Sequence, residues 1–114
     1  MNKAQFKLFK KHVKKWRDCF GLNQYRLTVE FDKIEDADTA AETGMDAQNG
    51  LAHITLNKNC YGLSDKFLNE LAFHEVVEVL LNPLRSMANR HYNWQLVDKE
   101  IHQVIRTLEN VVLK

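Results

Sequence analysis

The stretch LAFHEVVEVLL, residues 71–81, decides how this chain is read. Set on a helical wheel, Phe67, Leu71, His74, Glu78 and Leu81 share one face, while Phe73, Val76, Val77 and Leu80 cover the other. A helix that is apolar nearly all round is a buried, central one. Three ionisable residues, His74, Glu75 and Glu78, nevertheless sit in its middle. Burying unpaired charge costs several kcal/mol per ion, so something has to compensate, and a metal ion is an economical candidate.

His74 and Glu78 are four residues apart, one turn apart on the same face. An imidazole nitrogen and a carboxylate oxygen at that spacing can meet one cation. Glu75 is rotated by about 100° and lies beside the ion rather than on it. The arrangement is that of an H-E-x-x-H motif, with two ligands at i and i+4 and the intervening Glu as general base. Here Glu78 stands in the second His position, and a carboxylate is an acceptable zinc ligand. A catalytic zinc needs a third protein ligand; His53, His91, Glu100 and His102 are the candidates. With Val97 at 0°, the apolar stripe of the last helix runs from about −40° to +80°. Glu100, at about −60°, flanks that stripe, whereas His102, at about 140°, points away. Glu100 is therefore the expected third ligand and His102 the fallback. The plainer alternatives are ordinary ones: a helix-surface His74–Glu78 pair, a Glu75–lysine pair, and Glu100 paired with Arg106 or a lysine of the first helix.

Outward from this helix, Ser64 reads as its N-cap, with Asp65 in the first turn, and Pro83 as its stop after Asn82. Residues 84–92 form a connection, and residues 93–112 a final helix carrying Val97, Ile101, Val104, Ile105, Leu108, Val111 and Val112. Upstream, Phe6, Phe9, Val13, Trp16 and Phe20 make residues 3–20 an amphipathic helix that ends at Gly21. Its lysines read as a solvated outer face. Residues 24–32 alternate as a half-buried strand, with Tyr25, Leu27, Val29 and Phe31 pointing one way. Residues 33–39 are an acidic loop. Asn49-Gly50 predicts a type I′ hairpin between residues 40–48, a weaker arm suited to a sheet edge, and residues 51–57. The expected fold is α+β: an N-terminal helix, a small three-stranded sheet with a hairpin, a central helix and a C-terminal helix, in one domain over residues 1–114.

Composition agrees with one globular domain: 114 residues, 45% hydrophobic and 27% charged. Sixteen basic residues balance fifteen acidic ones, whereas a general polyanion binder is more basic. No nucleic-acid partner is expected. Cys19 and Cys60 are too few for a disulfide scaffold, and neither sits in a C-x-x-C pair. No run approaches a membrane span, and lysines interrupt the first apolar residues, so a reduced, cytoplasmic setting is expected.

Residues 71–84, LAFHEVVEVLLNPL, resemble the active-site helix of small zincin-like metallopeptidases, many of them phage-encoded. The stretch EIHQVIRTLEN, residues 100–110, resembles their C-terminal helix, and WRDCFGLNQYRLTVEF, residues 16–31, fits the helix and strand that precede their active site. The resemblance implies a minimal zincin-like domain in the host cytoplasm. It makes His74 the first metal ligand, Glu75 the general base, Glu78 the second ligand in an H-E-x-x-E variant, and Glu100 the third. A His/Glu/Glu set carries two negative charges, which weakens the Lewis acidity of zinc and favours harder ions such as manganese or magnesium. The implied activity is hydrolysis of a peptide or protein substrate, held along the hairpin or a neighbouring strand by β-augmentation. The alternative is a non-catalytic protein-binding module on a degenerate zincin scaffold. Glu75-x-x-Glu78 also matches half of the magnesium signature of helical nucleotide pyrophosphohydrolases, but the companion E-x-x-D is missing and a hairpin does not belong in that fold.

Overall fold

The computed structural model describes residues 1–113. It has the expected α+β layout: α1 (Lys3–Cys19), β1 (Arg26–Asp32), β2 (Ala41–Asp46), β3 (Leu51–Asn57), α2 (Asp65–Ala88) and α3 (Trp94–Val112). β3 is the central strand, parallel to β1 and antiparallel to β2, so both β1 and β2 are edges. Alternation puts Ala52, Ile54 and Leu56 of β3 in the core, while Leu51 and His53 face solvent. Against that inner face pack Phe9, Val13 and Trp16 of α1 and Leu68, Ala72, Phe73, Val76 and Val77 of α2. Trp16 meets Phe73 edge-on at 4.9 Å between centroids, and its indole N–H donates to Asn69 Oδ1 at 2.9 Å. α3 packs mainly on α2.

Local chemistry explains the boundaries. Asn2 and Gln5 form a capping box at the start of α1. Its end is a Schellman motif: Gly21 has φ 63°, and the amides of Leu22 and Gly21 donate to the carbonyls of Arg17 and Asp18. Ser64 caps α2 and Asn93 caps α3 through their side-chain oxygens.

Two expectations fail here. Pro83 does not stop α2, which continues through it to Ala88. The φ of proline is itself helical, so the cost is one missing N–H donor and crowding of the preceding turn. Arg85 holds the added turn down by binding Glu78 within α2 and Asp98 on α3. The hairpin is not a two-residue type I′ turn either. A single turn of 3-10 helix (Ala47–Asn49) precedes Gly50, which alone is left-handed, at φ 67°. Asp46 accepts from the backbone N–H of Asn49 at 3.3 Å and from its side-chain amide at 2.7 Å. That side-chain cap keeps Asn49 out of the left-handed region.

Candidate metal centre

α2 is less enclosed than its composition suggests. Its buried residues are Leu68, Ala72, Phe73, Glu75, Val76, Val77 and Val79, whereas Phe67 is exposed and His74, Glu78 and Leu81 are half-buried. The half-buried polar row His74, Glu78 and Arg85 faces one flank of α3, made of Asp98, His102 and Glu109.

Glu78 is the hub of this contact. Its Oε1 lies 3.8 Å from His74 Nε2 and 3.5 Å from His102 Nε2. One ligand atom from each of these three residues lies within 4.8 Å of the others. These separations are long for hydrogen bonds. They are near the spacing of atoms sharing one ion, because tetrahedral ligands at zinc–ligand distances of about 2.0–2.1 Å stand roughly 3.3 Å apart.

The surroundings orient each donor. Glu78 Oε2 accepts from Arg85 Nη2 at 2.9 Å, which leaves Oε1 turned toward the histidines. Arg85 Nη1 donates to Asp98 Oδ1 at 2.6 Å. His102 Nδ1 sits 2.8 Å from the carbonyl oxygen of Asp98. A carbonyl only accepts, so Nδ1 carries the hydrogen and, in the neutral ring, Nε2 keeps its lone pair for an ion. His74 Nδ1 faces Glu109 Oε1 at 3.8 Å. Both rings therefore turn Nδ1 to an oxygen of α3 and Nε2 to Glu78, the orientation that outer-shell partners impose on metal-bound histidines. Arg85 and Asp98 reinforce each other. The hydrogen bond from Arg85 holds the Asp98 carboxyl below its ordinary range. Burial opposes the charge on Arg85, but the bond to Asp98 and the charge of Glu78 outweigh it and raise its pKa.

Glu75, about 100° round α2 from His74, lies against β2. It is 6% exposed, and Thr43 Oγ1 donates to its Oε2 at 2.9 Å. Burial pushes its pKa up from 4.5 to about 7. The Thr43 bond opposes this shift, repulsion from Glu78 and Glu42 adds to it, and His102 partly offsets it.

The fold thus brings His74, Glu78 and His102 together and leaves Glu100 out. Glu100 is exposed on the other flank of α3, beside an apolar groove formed with Leu84, Ala88, Tyr92 and Leu96. Glu100, the expected third ligand, is not part of this group, whereas His102, the fallback, is. Val104, expected within the core-facing stripe, is 44% exposed, and the buried arc is Val97, Ile101 and Ile105. The other candidates lie elsewhere. His53 stands on the outer sheet face over Gly44, where a Cβ would overlap its ring. His91 is exposed beyond α2. His12 is largely covered and joins α1 to α2 through Asp65 at 2.8 Å.

Arg85 and Asp98 escaped the sequence reading. The available signal was the spacing His74, Glu78, Arg85 along α2 and Asp98, His102, Glu109 along α3, two polar rows at helical steps. Among the described residues no helix is long and apolar enough to cross a membrane. No protein-family model, curated protein or solved structure matches the chain.

Proposed function

We propose that this domain is a metal-dependent peptide hydrolase in which His74, Glu78 and His102 hold the ion and Glu75 is the general base. The observation that carries the reading is the convergence of two imidazole Nε2 atoms on Glu78 Oε1, with both Nδ1 atoms turned toward oxygens of α3. Two histidines and one carboxylate are a ligand set of hydrolytic zinc sites. With His102 in place of Glu100 the set holds one carboxylate, and the argument for a harder ion loses its second negative charge.

A bound zinc ion would supply Lewis acidity to a peptide carbonyl and to the attacking water. The chain supplies the rest. Glu75, with a pKa near neutrality and electrostatically coupled to Glu78 and His102, is suited to accept a proton from water and return it to the departing amine. β2 is a sheet edge whose Thr43 touches Glu75, so its free backbone can hold an extended substrate beside the base.

One observation favours a second, non-catalytic reading. α3 packs mainly on α2, so an ion shared by His74, Glu78 and His102 would fasten it as a structural clip within a binding module. Elemental analysis of untagged protein, purified without chelator, begins the test. About one ion per chain in wild type, lost in Glu78→Ala, supports the centre; no ion after dialysis against zinc and manganese rejects it. A peptide-library screen with Glu75→Gln separates the readings. Turnover lost in a variant that keeps its metal supports hydrolysis. Turnover retained rejects Glu75 as base, and metal without turnover on any peptide selects the clip.

A further inference from the structure

The opposite edge of the sheet carries a second feature, independent of the metal centre. Lys3, Lys7, Lys10, Lys14 and Arg17 recur along α1 at four- and three-residue steps, so they form one row. The six lysines of α1 are exposed, and none forms an ion pair among the described residues. Lys10, Lys14 and Arg17, with Val13, line a groove whose other wall is residues 27–29 of β1, and no acidic residue lines it. Arg17 Nε is shut off from solvent there and has no hydrogen-bond partner.

Among the described residues β1 pairs only with β3, leaving its other edge without a strand. Its seven residues contain no proline or glycine and stay in continuous register with β3, so no bulge bends this edge away. Guarding lysines normally sit on an edge strand itself. Here the charge lies on the neighbouring helix, beside a backbone edge that remains open.

We propose that the groove between α1 and β1 binds an extended acidic peptide segment, which adds to the sheet beside β1 with alternate carboxylates turned toward Lys10, Lys14 and Arg17. Side chains on one face of a strand repeat about every 6.7 Å. Lys10 and Lys14 are separated by about 6 Å of helix rise, and Lys14 and Arg17 by about 4.5 Å. Acid at every second residue therefore fits the row better than a block of acids. Val13 is the only core side chain that α1 adds to the groove, and no aromatic ring lines it, so a single-stranded nucleic acid would find nothing to stack on.

The test uses a fluorescent peptide of alternating glutamate and threonine, about as long as β1, and the full chain. Binding is expected, weakened at least tenfold by the double substitution Lys10→Glu and Lys14→Glu. Both side chains are exposed, so circular dichroism and metal content should not change in that variant. Backbone N–H groups of a strand alternate in direction. N-methylating one alternate set of the peptide should therefore weaken binding at least tenfold, and methylating the other set should change it less than twofold. No binding, equal tolerance of both methylated peptides, or equally tight binding of a single-stranded oligonucleotide of the same charge would overturn the proposal.

Discussion

The two flanks of α3 differ in one respect that matters. One flank, Asp98, His102 and Glu109, lies against the polar row of α2: Asp98 pairs with Arg85, His102 Nε2 is 3.5 Å from Glu78, and Glu109 is 3.8 Å from His74. The other, Leu96, Glu100 and Val104, borders an open apolar groove. Both flanks carry a carboxylate, and both border the same buried arc of Val97, Ile101 and Ile105. Ligating potential therefore comes less from residue type than from which neighbour the residue meets. Glu100 is as good a donor as Glu78 in isolation, but among the described residues no histidine nitrogen lies within 4 Å of it.

Exchanging the two flanks in experiment gives the largest expected difference. His102→Ala should lower zinc affinity more than 100-fold, beyond the ~10–100-fold attached to losing an outer-shell partner, while Glu100→Ala should stay within about twofold; titration calorimetry measures both. Equal losses would return Glu100 to the site.

The next effect concerns Glu75 in metal-free protein. Its carboxyl titrates near 4.5 unfolded and near 7 folded. The stability gained by keeping it protonated is fully present below about pH 4.5 and is lost as pH rises through 7. Wild type should therefore lose on the order of 3 kcal/mol relative to Glu75→Gln between pH 4.5 and pH 8. Paired urea titrations at the two pH values read that difference, and parallel curves would mean the burial of Glu75 has no such cost.

Arg85→Met should weaken zinc binding by ~10–100-fold through loss of its hold on Glu78 and Asp98. Unchanged affinity would show that Glu78 needs no second anchor. The smallest effect belongs to the open flank. Val104→Ser should move stability by no more than about 0.5 kcal/mol, whereas Ile105→Ala, in the buried arc, should cost about 2–5 kcal/mol.

Much of the fold was legible because it rests on local rules. Ser64 and Gly21 bound their helices through caps that any chain would use. The alternation of residues 25–31 marked β1 because one face is covered and the other is not. Where side chains from distant segments intervene, those rules fail. Pro83 is a helix terminator by local rule, yet the Arg85 contacts to Glu78 and Asp98 carry the helix past it. Asn57 gave no signal, although it is fully buried and organises the acidic loop. Its Oδ1 accepts from Ile34, and its amide donates to the Asp36 and Thr39 carbonyls.

The sequence by itself determined the pair His74 and Glu78, since a four-residue step in a helix leaves two side chains little choice but to be neighbours. It also determined that α3 has a core-facing stripe, since periodicity reports which residues avoid water. Only the tertiary structure decided which residue of α3 joins that pair. Measured from Ile101, the centre of the buried arc, Glu100 and His102 are each displaced by about 100°, in opposite directions. A helical wheel is symmetric about that centre. It cannot say which flank meets the polar row of α2, because that depends on the side from which the two helices dock.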